Sequence, residues 1–178
     1  MMLIQHNQTC WSAHKEGLKM TITVGEKIPS VDMPTKTEDG VDTINTADYC
    51  AGRKIVMFVV PGAFTPTCSA KHMPGFVQQF DRLKAAGVDA VACLAVNDAH
   101  AMRAWALDQG ADGKIDMFAD ARCEFSKALG IDRDMGPVMG VRAARCALIV
   151  DDGVISHLFM EEVGAFDVSS AEHILAHL

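Results

Sequence analysis

The sequence has no C-x-x-C pair of cysteines, no long hydrophobic run and no excess of basic residues. Its six cysteines stand apart, at positions 10, 50, 68, 93, 123 and 146, so we expect neither a cysteine-based zinc site nor a vicinal dithiol, and no metal. No apolar run approaches the ~20 residues of a membrane span, so no membrane partner is expected. The net charge of −7 argues against nonspecific nucleic-acid binding, which requires a basic surface.

The first residues of the chain also lack the features of a targeting segment. Residues 1–19 are polar, have no clear periodicity and contain neither an arginine nor a basic stretch followed by a long apolar one. We expect them to form an N-terminal arm outside the fold, with one domain over residues 20–178, in a cytoplasmic protein. Cysteines in that compartment are free thiols, which are mostly buried as small hydrophobic residues. Such core positions are expected for Cys123 and Cys146.

The remaining pattern is that of alternating strands and helices. Residues 54–60 and 88–96 are short, continuous apolar runs, typical of strands buried on both faces. A helical pattern from Cys68 to Ala86 separates them, with a kink or break expected at Pro74. A strand, a helix and a strand in this order predict two adjacent parallel strands.

The later elements complete an α/β domain. The sequence predicts a helix over 99–109 after an N-cap at Asn97 or Asp98, a strand over 114–120 and a helix over 121–129 that ends at Gly130. It also predicts a β-hairpin over 145–160 and a capping box at Ser169-x-x-Glu172 before a last helix. We therefore expect a central mixed β-sheet with helices on both of its faces.

One cysteine stands in a setting that a structural cysteine does not need. In VVPGAFTPTCSAKHMPGF, Cys68 follows the first strand after a turn rich in proline and glycine, and it opens a helix. Unpaired N–H groups and the helix dipole favour an anion there, and the thiolate is the nucleophilic form of cysteine. Pro66 stiffens the approach, and the Thr65 hydroxyl can reach the same pocket. The pattern indicates a nucleophile, although a cysteine that merely begins a helix would also satisfy it.

The spacing P-x-x-x-T-x-x-C, formed by Pro61, Thr65 and Cys68, resembles the active-site signature of the peroxiredoxins. The following SAKHMPGF and the later VACLAVND resemble the type II, peroxiredoxin-five-like branch, and residues 161–178 resemble its bacterial members. The stretch RCALIVDDG resembles the strand that carries the active-site arginine of the family, which would be Arg145; Arg142 is the alternative.

This resemblance implies a thioredoxin-like fold and a thiol peroxidase that needs no cofactor. Cys68 would attack hydrogen peroxide or an alkyl hydroperoxide and become a sulfenic acid. Thr65 would bind the sulfur and the peroxide oxygens, Pro61 would shield the pocket from water, and Arg145 would stabilise the thiolate and the polarised peroxide. The family also implies a homodimer. A peroxide sensor that uses the same cysteine is the alternative function.

The step that returns the sulfenic acid to a thiol is less defined. Plant-like type II members carry a second cysteine about 25 positions after the first, and Cys93 stands at that spacing. Cys93 could form a disulfide with Cys68, or it could be a buried strand residue. We favour the buried position, with an external thiol as reductant: glutathione with glutaredoxin, or thioredoxin. His72 follows Cys68 by four residues and is expected to pack beside the pocket.

Overall fold

The computed structural model describes residues 21–178. The arm expected over residues 1–19 lies outside the described residues, as do Met20 and Cys10. The strands are β1 (Asp32–Lys36), β2 (Val41–Asn45), β3 (Lys54–Val59), β4 (Ala90–Ala95), β5 (Ile115–Ala119), β6 (Asp132–Asp134), β7 (Val141–Ala143), β8 (Cys146–Asp151) and β9 (Val154–Met160). The α-helices are α1 (Thr46–Cys50), α2 (Met73–Ala85), α3 (Ala99–Asp108), α4 (Glu124–Leu129), α5 (Gly136–Met139) and α6 (Ala171–Leu175).

The central sheet has the strand order β5-β4-β3-β8-β9. Strands β3, β4 and β5 run parallel, whereas β8 is antiparallel to both β3 and β9. This confirms the predicted mixed sheet and the parallel pairing of the first two buried runs. The antiparallel pair β8–β9 is the predicted hairpin. Two small sheets, β1–β2 and β6–β7, were not predicted from the sequence.

Alternate residues of the central strands enter two separate hydrophobic cores. On one face, Val56 and Phe58 of β3 pack with residues of α2, α3 and α6. On the other face, Ile55, Met57 and Val59 pack with residues of α1 and α4. The strands thus read as continuous apolar runs because both of their faces are covered. This arrangement confirms the expected layer of helices on each face of the sheet.

The predicted helix after β3 begins with a different hydrogen-bond pattern. Residues Cys68–His72 form a π-helical turn in which the Met73 N–H donates to the Cys68 carbonyl, and α2 follows without a gap. Pro74 lies in the first turn of α2. Because proline has no N–H, it cannot close the ordinary helical bond to the carbonyl four residues earlier. The expected break at Pro74 is therefore a change from π-helical to α-helical bonding.

The ends of the later helices match most of the predicted caps. The Asp98 carboxylate accepts from the N–H groups of His100 and Ala101 at the start of α3. At the end of α4, Gly130 adopts the left-handed conformation, with φ 71°. The capping box at Ser169 was a wrong prediction, because Ser170 caps α6 and accepts from the His173 N–H.

Candidate active site

Cys68 lies in the first helical turn after β3. Residues 66–67 are already helical, and the first bond of this segment runs from the Ser69 N–H to the Thr65 carbonyl, at 3.0 Å. The N–H groups of Thr67 and Cys68 come before that bond and leave a partial positive charge around the cysteine. The Cys68 residue is fully buried, so its sulfur is held in a fixed setting.

The turn before Cys68 is fastened by contacts within itself and to the end of β4. The Ala63 N–H donates to the Asn97 side-chain oxygen at 3.0 Å, and the Thr65 hydroxyl donates to the Gly62 carbonyl at 2.8 Å. Phe64 has φ 58° and is 57% exposed, a strained conformation for a residue with a side chain. Because the Thr65 proton is engaged with Gly62, its oxygen is free to accept a hydrogen bond from a bound ligand.

Arg145 lies against the cysteine sulfur. Both terminal nitrogens of its guanidinium, Nη1 and Nη2, are 3.6 Å from the Cys68 Sγ. The pairing of Val59 with Cys146 brings the residue before β8 to the end of β3, where the turn to Cys68 begins. Among the described residues, no carboxylate lies within ion-pair distance of this guanidinium. The arrangement therefore directs an unneutralised positive charge at the sulfur.

Arg142, the alternative arginine, points elsewhere. Its side chain donates to the carbonyl of Val96 at 2.6 Å and to the carbonyl of Met139 at 2.7 Å. It therefore ties the chain after β4 to the end of α5. The structure brings Pro61, Thr65, Cys68 and Arg145 to one place and uses Arg142 to brace the neighbouring loops.

A cavity of about 430 Å³ opens beside this cluster. Pro61 and Arg145 form part of its wall, and the chain from Glu161 to Ala165 forms another part. Met135 adds an apolar side chain. The cavity is large enough for more than a single peroxide molecule. Its wall combines apolar side chains with charged ones, among them Arg145, whose guanidinium also contacts the sulfur.

His72 lies beside the pocket, as expected, but it also makes polar contacts that the sequence did not indicate. It is fully buried, with its ring against the rings of Phe58 and Phe166, each at 5.0 Å between centroids. Its Nδ1 is 3.0 Å from the Arg145 Nη1. Burial, and next the Arg145 charge, lower the pKa of His72 from 6.5 to about 3, so the imidazole is neutral at physiological pH.

Two further residues, Glu161 and Ser169, were not predicted from the sequence to belong to the site. Glu161 accepts hydrogen bonds from the N–H of Asp167 at 2.7 Å and from both the N–H and the hydroxyl of Ser169 at 2.8 Å. Burial alone would raise the pKa of Glu161, but these donors hold it below its usual range. The Ser169 carbonyl in turn lies 3.0 Å from the His72 Nε2.

Cys93 is fully buried in β4, where it pairs with Phe58. It belongs to the same hydrophobic core as Cys68, and both are free thiols. Burial, and next the neighbouring Cys68, raise the pKa of the Cys93 thiol well above its usual range. A thiol in this state is a poor nucleophile.

The other described cysteines are also buried thiols. Cys123 and Cys146 occupy the core positions expected for them, and burial raises the pKa of Cys146 to about 12. Within residues 21–178, no cluster of three or more histidine, cysteine or acidic side chains has a geometry that could hold a metal ion. None of the described helices has both the length and the apolar character needed to span a membrane.

Comparison with known proteins places this geometry among thiol enzymes. The sequence profile of the Redoxin family matches residues 23–175. Peroxiredoxin-2E-2, a chloroplastic protein of Oryza sativa, is 46% identical over 164 residues, which cover 89% of this chain and 73% of that protein. Peroxiredoxin-2B of Arabidopsis thaliana is 39% identical over 159 residues, covering 88% of this chain and 98% of that protein.

Solved structures show the same relationship. Reduced Prx3 of Vibrio vulnificus in complex with hydrogen peroxide is 43% identical and superimposes with a TM-score of 0.86, covering 88% of this chain and 99% of that one. Peroxiredoxin 5 of Alvinella pompejana is 31% identical, with a TM-score of 0.77, covering 87% and 96% of the two chains. The mixed sheet and its helices therefore form the thioredoxin-like fold that the sequence predicted.

Proposed function

The chain belongs to the peroxiredoxin family of thiol peroxidases, and we propose that it reduces hydrogen peroxide and organic hydroperoxides with Cys68 as the nucleophile. The observation that carries this proposal is the contact of the Arg145 guanidinium, through both terminal nitrogens at 3.6 Å, with a sulfur at a helix start. A positive charge and free N–H groups at that point can stabilise the negative charge of a sulfur nucleophile that attacks a peroxide.

The proposed first half-reaction transfers one hydroxyl group to sulfur. The Cys68 thiolate attacks one peroxide oxygen, an S–O bond forms and the O–O bond breaks. The sulfur is oxidised to a sulfenic acid, while the leaving oxygen takes a proton and departs as water or an alcohol. Negative charge grows on the leaving oxygen, and Arg145 is already positioned to stabilise it.

Thr65 and Pro61 have supporting roles in this proposal. Because the Thr65 hydroxyl donates to the Gly62 carbonyl, its oxygen would accept a hydrogen bond from the peroxide O–H and so orient the O–O bond toward the sulfur. Pro61 is part of the cavity wall and offers no N–H to compete for the peroxide. The apolar part of the same cavity would accommodate the carbon chain of an organic hydroperoxide.

For the second half-reaction we propose an external thiol. The buried Cys93 thiol lies in the middle of β4, a strand paired on both sides, and its raised pKa makes it a poor nucleophile toward a sulfenic acid. An external thiolate would instead attack the sulfenic sulfur, release water and leave a mixed disulfide, which a second thiol would reduce. Glutathione with glutaredoxin is the first candidate, and thioredoxin is the second.

We also propose that the protein is a homodimer. Three apolar side chains are strongly exposed: Val163, which belongs to the cavity wall, is 86% exposed, and Phe64 and Val138, each three positions after a residue of that wall, are 57% and 92% exposed. Burying this surface against a second copy would remove it from water. Sedimentation of the wild type and of a Phe64→Asp variant tests this, since a monomeric wild type would contradict it. The cytoplasmic location stays a prediction.

The experiment that tests the function compares the wild type with Cys68→Ser and Cys93→Ser. We expect Cys68→Ser to abolish peroxide consumption with every thiol donor, and Cys93→Ser to retain it with glutathione and glutaredoxin. Mass spectrometry of the wild type treated with peroxide in the presence of glutathione should show a glutathione adduct on Cys68. A Cys68→Ser protein that kept its rate would refute the proposal, and a Cys68–Cys93 disulfide would refute only the external-thiol step.

A further inference from the structure

The tautomer of the buried His72 ring follows from its two contacts. Its Nε2 lies 3.0 Å from the Ser169 carbonyl, and a carbonyl can only accept a hydrogen bond, so Nε2 carries the proton. A neutral imidazole has one N–H, which leaves Nδ1 as an acceptor. Nδ1 accepts a hydrogen bond from the Arg145 Nη1, which lies 3.0 Å away. Since burial and the Arg145 charge lower the pKa of His72 to about 3, the neutral form is the one present.

The position of Ser169 is set by Glu161. The Glu161 carboxylate accepts hydrogen bonds from the Ser169 N–H and hydroxyl, both at 2.8 Å, and so holds the Ser169 backbone in place. The Glu161 N–H donates to the Arg145 carbonyl at 3.1 Å. Starting from Arg145, the contacts therefore run through His72, Ser169 and Glu161 and return to the Arg145 backbone. We call this closed set of four residues the arginine ring.

A long arginine side chain needs such a constraint in order to face a buried sulfur. The guanidinium has rotatable bonds, and the cavity of about 430 Å³ beside it offers room to turn away. Among the described residues it has no carboxylate partner to fix it, and Phe166 contacts it only through the ring face, at 5.9 Å. The hydrogen bond to the His72 Nδ1 is the directional contact that remains.

We propose that His72 is a positioning residue, which aims the Arg145 guanidinium at the Cys68 sulfur and is itself oriented by Ser169 and Glu161. This inference rests on the proposed role of Cys68 as the nucleophile. His72 acts through its Nδ1 as an acceptor, and it neither accepts nor delivers a proton during the reaction. The proposed role of His72 thus depends on the lone pair of Nδ1, which accepts the hydrogen bond from Arg145.

Two substitutions of His72 test the roles of its two ring nitrogens separately. In His72→Asn the side-chain oxygen falls near the position of Nδ1 and can still accept from Arg145. In His72→Gln the side-chain nitrogen falls near the position of Nε2 and can still donate to Ser169, but the acceptor for Arg145 is lost. His72→Phe removes both groups and keeps a ring among its aromatic neighbours. Phe118→Leu is the packing control, because Phe118 is fully buried in the core on the other face of the sheet, where it packs on Tyr49 at 4.9 Å between ring centroids.

The measurement is the second-order rate of Cys68 oxidation by hydrogen peroxide, with thermal unfolding recorded for each variant. We expect His72→Phe and His72→Gln to lose about 10- to 100-fold in rate, as for a lost hydrogen bond to a charged group. His72→Asn should recover most of that loss. Phe118→Leu should lower the unfolding temperature with little change in rate. Equal rates in the Asn and Gln variants, or losses that follow unfolding temperature alone, would overturn the inference.

A measurement on the wild type does not depend on whether the variants fold. Nitrogen-15 NMR of the histidine rings should show His72 as the neutral form with its proton on Nε2, and a proton on Nδ1 would overturn the inference. The Cys68→Ser variant separates the two proposals. If Cys68→Ser were still active, the proposed function would fail; if Cys68 were required but all His72 variants reacted normally, only the positioning role would fail.

Discussion

The two nearby arginines allow a sharp test of the site, because they have different partners. Arg145→Met removes both guanidinium nitrogens, each 3.6 Å from the Cys68 sulfur, and keeps most of the apolar stem. Removing one well-placed donor from a developing negative charge costs about 100- to 1,000-fold in rate, and we expect a loss of that size. Arg145→Lys keeps one charge but not the planar pair of donors, and should lose about tenfold.

Arg142→Met is the matched control. Arg142 donates to the carbonyls of Val96 and Met139 and makes no contact with Cys68. Its loss should lower the free energy of unfolding by about 1–3 kcal/mol, because two partly buried carbonyls lose a charged donor. The rate of peroxide reduction per folded molecule should stay close to that of the wild type.

The assay is stopped-flow oxidation by hydrogen peroxide, followed by tryptophan fluorescence. The Trp105 Nε1 donates to the Ser69 hydroxyl at 3.0 Å, next to the reacting cysteine, so its emission should respond to oxidation of Cys68. Urea unfolding of each variant gives the folded fraction. An Arg145→Met rate within about threefold of the wild type would refute the reasoning, since the electrostatic argument requires a far larger loss. An equal loss in Arg142→Met would refute it as well.

Three further predictions concern buried polar groups. The pKa of His72 falls from 6.5 to about 3 on folding, so the stability associated with the neutral ring is present above pH 6.5 and is lost as the pH falls toward 3. Between pH 6.5 and 5 this amounts to about 2 kcal/mol, and urea unfolding should show a steeper pH dependence for the wild type than for His72→Phe. Tyr49 is the single tyrosine of the chain, and burial, followed by the nearby Asp116, raises its pKa; alkaline titration should show tyrosinate absorbance only once the protein unfolds. Glu161→Ala should lower the peroxide rate about tenfold or more by releasing Ser169, and a rate unchanged from the wild type would argue against the arginine ring.

The sequence predicted the parts of the fold whose causes are local. The buried strands are continuous apolar runs, the cap of α3 is an aspartate in the expected place, and Gly130 ends α4. The spacing of Pro61, Thr65 and Cys68 lies within one short turn, so it can be read directly. Short strands such as β6 and β7, with three residues each, have too few positions to show alternation.

The capping box shows why a local pattern can mislead. Ser169 and Glu172 have the right spacing, but the Ser169 hydroxyl donates to the Glu161 carboxylate and the cap falls on Ser170. The competing partner lies eight residues away and is brought close by tertiary structure. The contact of His72 with Ser169 spans 97 residues, and no spacing rule covers such a distance.

The arginine ring also bears on when this chain acquires its reactivity during synthesis. Cys68 emerges from the ribosome long before its partners, since Arg145 follows 77 residues later and Ser169 follows His72 by 97. Chains are synthesised at about 5–20 residues per second, and a domain generally folds as a unit. For several seconds the nascent chain thus contains Cys68 but not yet Arg145. We therefore expect sensitivity of Cys68 to peroxide to begin only when the last strand and the segment beyond it have docked.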